Sequence, residues 1–506
     1  MPPHWMSDPQ GLALLEAAKR EYDDTAPRLV LSDWLEEQGE QEAAQALRRS
    51  LRRPALWVEL PEEVAARWKC VCGFRNGWPG RRLTRIDYVE FLRLKPSAWC
   101  AVLEIEEANV SIEIDGTTTL ANSPHLAHLV SLSLSKNKLD GHGASLFVRT
   151  NLLSNLRTLR LSYNAIGDEG AKELARSPHL RQLRSLDLSW NEIGPEGITA
   201  LANWASGDRL RSLDLSHNHL GQTGLSAIAR STTLSNLVEL WLNGTNLGAE
   251  AEETLATLAM PRLRSLRLSL AGLEDGGAFA LAKSRHLSRL EILDLSCNSL
   301  TEEGVKVLAG SLPLPRLQSL NLGNTQLRSR ALRWLAQSPR LSSLRKLSLG
   351  SNYFGRAGAL ELARSSHLTT LEFLDLRANQ LGPTGARAIF QATQFATLTH
   401  LDMAVNMIRN EGVFALAKAK HLNRLSTLDL GYNAIQSNGA KALAQMAHLR
   451  SLRTLDLWNN SIGDKGALAL MQSPYLSPNL VLKLTWNGVN SEVASTLRER
   501  FPFVKV

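Results

Sequence analysis

The feature that most constrains this chain is a period. The motif LxxLxLxxNxL, followed by a glycine-led stretch ending in Leu-Ala or a close equivalent, runs through most of the sequence. Its asparagine position falls at Asn137, Asn164, Asn191, Asn218, Thr245, Ala271, Asn298, Thr325, Asn352, Asn379, Asn406, Asn433, Asn460 and Asn487. Every step is 27 residues except that from Thr245 to Ala271, which is 26. Self-similarity at such a period belongs to stacked architectures, in which each repeat buries its apolar face against its neighbours.

The physics of one unit follows from its residues. LxL reads as a short strand whose leucines turn inward, as Leu159 and Leu161 do, while the intervening residue points out. The second half, such as DEGAKELA at 168–175, has helix formers with apolar residues three and four apart. Stacked units give a parallel sheet backed by helices. The wider helix layer is expected to curve the stack into a horseshoe, with strands on its concave face and helices on its convex face. The asparagine should turn inward and satisfy backbone groups where the chain leaves the strand. Thr245 and Thr325 can partly replace it, and Ala271 cannot. The shortened unit around Ala271 is either an irregularity in the curve or harmless drift.

This pattern resembles the leucine-rich-repeat family over roughly residues 111–490, and its unit length and helical second half look like the ribonuclease-inhibitor subtype. The resemblance implies an α/β leucine-rich-repeat solenoid and says almost nothing about function. At the C-terminus, SEVASTL at 491–497 reads as a final helix, with FPFVKV closing a cap over 491–506. At the other end the array fades into VLEIEEANVSIEIDG at 102–116, a degenerate first unit.

Residues 1–53 differ in kind. Ser7 is expected to cap a helix, with Gln10 completing a capping box. LALLEAAKR, RLVLSDWLEEQG and EQEAAQALRRS then read as three short helices. Pro27-Arg28-Leu29-Val30-Leu31, Asp33-Trp34-Leu35-Glu36-Glu37 and Gly39 resemble the repeat-companion domain, a short segment found beside leucine-rich repeats in some large bacterial families. The resemblance implies a bacterial origin and companionship with repeats, and no activity. Residues 54–110, with Trp57, Trp68, Trp78 and Trp99 and turn signals at Asn76-Gly77 and Pro79-Gly80, read as a capping subdomain between helices and array.

Composition excludes several classes. Of 506 residues, 44% are hydrophobic, enough for a continuous core and against wholesale disorder. The N-terminal MPPHWMSDPQ does not read as a signal peptide, and no run of 18 apolar residues suggests a membrane span. The four cysteines, Cys70, Cys72, Cys100 and Cys297, are too few for a disulfide framework, so a reducing, cytoplasmic setting is expected. The net charge of +8 lies wholly in the repeats, because residues 1–100 balance at fifteen basic and fifteen acidic side chains.

Motifs for chemistry are lacking. Cys70 and Cys72 form a CxC pair near Cys100, but a fourth zinc ligand is not apparent, so they read as packing thiols. His125, His179, His286, His367, His421 and His448 share one repeat position, just after a helix, where imidazole meets the helix dipole and orphan carbonyls. Arg340 and Tyr475 fill the same slot, which a metal-binding row would not tolerate. With no phosphate loop, nucleophile elbow or HExxH, neither an enzyme nor a cofactor or metal is expected.

The strand face is more informative. Its outward position holds Asp187, Asp214, Asp294, Asp375, Asp402, Asp429 and Asp456, with Arg160, Trp241, Arg267, Asn321, Ser348 and Lys483 in other units. Asp375 to Asp456 should form a ladder of four like charges, flanked along the face by Tyr163, Trp190, Trp241, Phe373, Tyr432, Trp458 and Trp486. Aromatic anchors beside charge suit a protein-binding surface, while repeat consensus is the competing explanation for the aspartates. The expected function is a non-enzymatic protein-binding scaffold whose partner carries a basic or mixed-charge surface. The alternative is a stoichiometric inhibitor of a cationic enzyme, as in ribonuclease-inhibitor-like arrays; a GTPase-activating or catalytic role rests on fold analogy alone. The acidic wall argues against specific nucleic-acid binding.

Overall fold

The computed structural model describes residues 4–20, 25–52, 114–248, 251–311 and 314–506, together with the short strands Trp57–Glu59, Gly73–Arg75, Trp78–Leu83 and Val102–Ile105. Cys70, Cys72, Cys100, Trp68 and Trp99 lie outside the described residues, as do the side chains of Trp57 and Trp78. The chain divides into two compact units, Met1–Trp241 and Leu242–Val506.

The first unit opens with three helices, Pro9–Arg20, Ala26–Glu37 and Gln41–Arg52. The first is capped by Asp8 rather than Ser7: the carboxylate accepts the N–H groups of Gln10 (2.8 Å) and Gly11 (3.2 Å). Ser7 itself closes a short 3-10 turn, and Pro9 fills the first helical position, where a missing N–H costs nothing. Leu15, Ala18, Leu31, Trp34, Leu35, Ala43 and Leu47 form a small buried core.

After these helices the chain turns to strand. Trp57–Glu59 and Gly73–Arg75 pair antiparallel, as do Gly73–Arg75 and Trp78–Leu83, and from Trp78–Leu83 onward the pairing is parallel. Val102–Ile105 leads into Ser131–Ser133, Thr158–Arg160, Ser185–Asp187, Ser212–Asp214 and Glu239–Trp241. The second unit holds nine more parallel strands, from Ser265–Arg267 to Val481–Lys483, each with a helix returning behind it. This is the leucine-rich-repeat solenoid, three strand residues per repeat with the central leucine fully buried.

Each helix buries one stripe. In Gly167–Arg176 the buried residues are Gly170, Ala171 and Leu174, a spacing that faces one side of the helix. Small residues let successive helices approach closely. A Cβ on Gly197 would lie 2.6 Å from Asp168 Oδ1 and 2.9 Å from the Ala171 methyl. That closeness lets one repeat cap the next: Asp168 accepts the N–H groups of Gly194 (2.7 Å) and Gly197 (2.8 Å).

The repeating asparagine turns inward as its position implies. Asn406 donates to the carbonyls of Leu376 (2.8 Å) and Met403 (3.0 Å) and accepts the N–H groups of Asn379 (2.9 Å) and Leu381 (3.3 Å). One amide thus ties its own strand exit to that of the preceding repeat. Thr325 keeps the local half, donating to the Leu322 carbonyl at 2.7 Å with a longer contact to Asn352 Oδ1 at 3.4 Å, and Thr245 donates likewise to Leu242. At Ala271 the backbone substitutes for the side chain: its carbonyl accepts the Leu247 N–H at 2.8 Å. Removing one residue from this repeat and removing its amide therefore go together.

The histidine position meets expectation at His421 and His448, which reach the Ala392 and Leu416 carbonyls, and departs from it where a serine is nearer. The carbonyl at a helix end is met instead by a serine two residues before that position, as Ser177 meets Val148 (2.6 Å), Ser365 meets Ala336 (2.6 Å) and Ser473 meets Ala444 (2.6 Å). His421 reaches the Ala392 carbonyl itself, at 3.1 Å, where Ala419 stands in place of the serine.

The C-terminal helix Ser491–Arg500 is capped by Asn490, which accepts the Val493 N–H at 2.8 Å. Phe501 is buried, and Lys505 pairs with the final strand, donating to the Leu482 carbonyl at 2.8 Å. No helix among the described residues is long and apolar enough to cross a membrane.

Candidate functional site: the open face of the sheet

Because strand side chains alternate, the leucines bury against the helices and the flanking residues stand on the sheet's other face. The thirteen residues singled out from sequence fall into separate groups along the strands. Asp187, Trp190, Asp214 and Trp241 belong to the first unit, where Asp187 lies in register with Arg160 and Asp214, and Asp214 with Trp241. Asp294 stands apart between Arg267 and Asn321. Phe373, Asp375, Asp402, Asp429 and Asp456 occupy four consecutive strands near the end of the second unit, and Tyr432, Trp458 and Trp486 lie in the turns that follow Thr427–Asp429, Thr454–Asp456 and Val481–Lys483.

Each aspartate does local structural work. Asp187 Oδ1 accepts the Ser189 N–H (3.0 Å), Asp214 that of Ser216 (2.8 Å), Asp402 that of Ala404 (2.9 Å) and Asp456 that of Trp458 (3.1 Å). An acceptor at the strand end thereby fixes the turn into the asparagine. Asn321 performs the same task for Gly323 at 3.0 Å without a charge. The turn requires an oxygen; the carboxylate is an addition to that requirement.

In the second unit Asp375, Asp402, Asp429 and Asp456 are aligned in parallel register, ending on Lys483. The remaining oxygens differ along the row. Asp375 Oδ2 accepts from the Ser348 hydroxyl (2.6 Å), and Asp456 Oδ2 from the Lys483 ammonium (2.6 Å). The second oxygens of Asp402 and Asp429, in the middle, have no donor among the described residues. Burial pushes the Asp402 carboxyl up to about 7, with Asp429 and Asp375 adding to the rise while the Ala404 N–H and Arg377 oppose it. Asp429 is raised likewise, by burial and then by Asp456, against the pull of the Gly431 N–H, Arg377 and Lys483.

Aromatic rings wall this row. Tyr432 lies 5.8 Å from Trp458, and Trp458 meets Trp486 edge-on at 6.3 Å. Trp458 leans across Gly431, where a Cβ would sit 2.0 Å from the indole nitrogen. Arg377 rides over its ring at 5.9 Å, a cation–π contact, and Phe373 neighbours His400 at 6.2 Å.

In the first unit the rings form a stair. Lys136 lies over Tyr163 at 5.5 Å, Tyr163 stacks on Trp190 at 5.1 Å and 12°, and Trp190 stacks on His217 at 3.9 Å and 16°. These four residues occupy one column, immediately before the asparagine, and His217 and Lys136 were not among the residues singled out from sequence. A column alignment exposes the signal, since Lys136, Tyr163, Trp190 and His217 are 27 residues apart. The backbone at this column is left-handed throughout, with φ of 56° at Tyr163, 57° at Trp190, 56° at His217, 52° at Tyr432 and 60° at Trp486. Large side chains are uncommon there and cost about 1–2 kcal/mol each relative to the right-handed region. Tyr163, Trp190, Tyr432 and Trp486 are nonetheless exposed, at 50%, 44%, 52% and 72%.

Among the described residues no group of three or more His, Cys, Asp or Glu side chains is placed to hold a metal ion. Cys297 is a free thiol in the same left-handed column, with φ of 56°, and Asn324 Nδ2 lies 3.5 Å from its sulfur.

Comparison with known proteins bears on the fold. Ten segments match the family described as Leucine Rich repeat: residues 125–148, 153–175, 179–202, 210–229, 260–282, 286–309, 367–390, 396–417, 421–444 and 448–471. Among curated proteins no match is found. Among solved structures the chain is similar to an internalin, inlF, of Listeria monocytogenes (21% identity, TM-score 0.41, 76% of this chain and 92% of that one). It is also similar to the TLR13 chain of a complex with ssRNA13 (22%, 0.45, 81% and 55%), so it spans about half the length of that chain. A third likeness is to a chain of the yeast Rad7 and Elc1 complex (16%, 0.43, 96% and 96%).

Proposed function

From the premise that this is a leucine-rich-repeat protein, we propose that it is a non-enzymatic protein-binding scaffold whose open sheet face in the second unit grips a basic segment of a partner protein. The observation that carries this reading is the uneven satisfaction of the aspartate row. The chain supplies its own hydroxyl at Asp375 and its own ammonium at Asp456, and leaves Asp402 and Asp429 between them open. Two adjacent carboxylates held against burial and mutual repulsion are relieved by a cation brought from outside. Exposed Tyr432 and Trp486, with Trp458 beside them, supply apolar and cation–π contact for the stems and heads of lysine or arginine.

The finer family placement belongs to the same reading. The repeat length of 27 and the helical back support the ribonuclease-inhibitor-like subtype, and the three-helix segment before the array supports a bacterial repeat-companion domain. The domain limits of 1–53, 54–110, 111–490 and 491–506 go with it. The free thiol of Cys297 supports a reducing cytoplasmic setting.

A fluorescent peptide of alternating arginine and glycine, titrated against the full chain, tests the site. The Asp402→Asn/Asp429→Asn double substitution should weaken it by about tenfold, while Asp187→Asn/Asp214→Asn should leave it within about twofold. Equal binding by the wild type and the first double variant would remove the second-unit face from consideration.

A further inference from the structure

Ahead of the aspartate row, the open face of the second unit sinks into a depression of about 340 Å3. The strand Ser319–Asn321, with its short side chains, forms the floor, and Arg267, Asp294, Lys346 and Phe373 stand around it. Lys346 is the unusual member. It opens the strand Lys346–Ser348, and the thirteen other three-residue strands from Ser131–Ser133 to Val481–Lys483 hold neither lysine nor arginine at that position.

The fold makes no use of this ammonium. Lys346 is exposed, and its side chain has no hydrogen bond or ion pair among the described residues. The carboxylates of the neighbouring repeat are engaged elsewhere. Asp375 Oδ1 accepts the Arg377 N–H at 2.9 Å and Oδ2 the Ser348 hydroxyl at 2.6 Å, while Glu372 pairs with Arg345 at 2.8 Å. Asp294 spends one oxygen on Ser296, at 3.0 Å to its N–H, and lies in register beside Arg267. Those two charges offset each other, so the surplus around the depression is the single positive charge of Lys346.

Two further donors face the same floor uncommitted. Asn321 Oδ1 is taken by the Gly323 N–H at 3.0 Å, which leaves the amide N–H groups without an acceptor among the described residues. The Ser319 hydroxyl likewise has no partner among them. An ammonium, an amide and a hydroxyl around a shallow floor suit a carboxylate, which only accepts and can take several donors at once. The second charge of a phosphate would meet Asp294. Phe373, half-buried, gives an apolar wall for the stem of the incoming side chain.

We propose that this depression seats an acidic side chain of the same partner segment whose basic residues lie on Asp402 and Asp429. The inference rests on that reading of the aspartate row and adds the partner's pattern of charge. Lys346–Ser348 is two strands from His400–Asp402, and Ser319–Asn321 is four from Thr427–Asp429. At about 4.8 Å per strand these spans are about 10 and 19 Å, which an extended chain covers in roughly three to six residues. The partner segment is therefore of mixed charge, with an aspartate or glutamate about three to six residues from a pair of arginines or lysines. It lies extended across the strands. Opposite charges read at the two ends of one face fix the segment's register and disfavour a uniformly basic one.

Fluorescent peptides with blocked termini, titrated against the full chain, test this. Each carries Arg-Gly-Arg and, four glycines away, either glutamate or glutamine, made in both orders of sequence. In one of the two orders the glutamate peptide should bind wild type about three- to fivefold tighter than its glutamine counterpart. Lys346→Gln should abolish the difference. Lys346→Glu should reverse it and favour a lysine at the glutamate's place, an outcome that a misfolded variant cannot give. Asp402→Asn/Asp429→Asn should weaken both peptides by about tenfold and leave their ratio as it was. If glutamate and glutamine peptides bind wild type alike in both orders, yet still depend on Asp402 and Asp429, this inference fails and the reading of the row stands. If neither peptide responds to loss of those aspartates, the reading fails and takes this inference with it. A glutamate preference that survives Lys346→Gln, or a phosphoserine peptide that binds tighter than the glutamate one, would also overturn the carboxylate seat.

Discussion

In the first unit the column before the asparagine is filled by Tyr163, Trp190 and His217, which stack face to face and cover one another. In the second unit the same column holds Ser351, Ala378 and Val405 before it reaches Tyr432, and the chemistry moves to the neighbouring column, where four aspartates align. The buried frame beneath both is the same. Asn164 and Asn406 donate to the same pair of carbonyl positions, and Leu159 and Leu401 are equally buried. A repeat array therefore separates two demands that a globular domain mixes: the frame is repeated and satisfied internally, and the face is free to differ from strand to strand.

The largest effect should come from breaking the frame. Asn406→Ala leaves the buried Asn379 and Leu381 N–H groups without their acceptor and removes one of two donors from each of the Leu376 and Met403 carbonyls, which keep the amides of Asn379 and Asn433. Such orphaned groups cost about 1–3 kcal/mol each, so a loss of about 3–5 kcal/mol is expected in urea denaturation. Thr325→Ala, which removes one short local bond and a longer contact to Asn352 Oδ1, should cost no more than about 1–1.5 kcal/mol. Similar losses for both substitutions would mean that the link between repeats contributes little, and that the asparagine acts only within its own turn.

The frame was the legible part of this chain. Period 27 placed the strands, the helices behind them and the inward asparagine, because each of these is a demand that every repeat must meet. What escaped were choices between residues able to do the same job. Asp8 and Ser7 are both capping residues, and the position of Pro9 decided for Asp8. Serine and histidine both reach helix-end carbonyls, and the hydroxyl is nearer. The aspartates looked like a continuous acidic stripe because their turn-forming use of one oxygen, shared with Asn321, has no separate sequence signature. The ring stair of the first unit is written down a column, in residues 27 apart, and not along any one strand.

A smaller effect distinguishes the second unit's row by pH. Asp402 has its folded value raised from 3.8 to about 7, so the fold favours its protonated form. Its stabilising contribution is complete below the unfolded value and disappears as pH rises through about 7. Asp402→Asn keeps an acceptor for the Ala404 N–H and removes the titration. Relative to wild type, the variant should gain about 1–2 kcal/mol between pH 4 and pH 8, a figure reduced for solvent screening at a half-buried group. A pH-independent difference, read by urea denaturation at both values, would show that the row is better hydrated than its burial implies.

The rings should respond more weakly and unequally. Trp190→Ala removes two stacked contacts, with Tyr163 and with His217, and should cost about 1–2 kcal/mol. Trp486→Ala removes an edge contact from a residue 72% exposed and should stay within about 0.5 kcal/mol in stability. Under the proposed function the order reverses for binding: the arginine peptide should lose affinity with Trp486→Ala and not with Trp190→Ala. If both substitutions leave the peptide unaffected, the aromatic wall of the second unit has no part in recognition.

The smallest effect concerns the left-handed column itself. Ala378 has φ of 54°, held there by the turn that leads into Asn379, and its side chain is not one of the exposed rings. Glycine adopts this backbone without the Cβ clash, but it loses more chain entropy on folding. The clash relieved is about 1–2 kcal/mol and the added entropy about 0.5–1 kcal/mol, so Ala378→Gly should stabilise by roughly 0.5–1 kcal/mol. The chain already places Gly244 in this column, with φ of 63°. Tyr432→Gly should receive the same backbone relief, offset by loss of its contact with Trp458, and lose affinity for the arginine peptide, which would separate what the frame prefers from what the face requires. A destabilised Ala378→Gly would instead mean that packing of the methyl outweighs the backbone, and the persistence of large residues in this column would need no functional explanation.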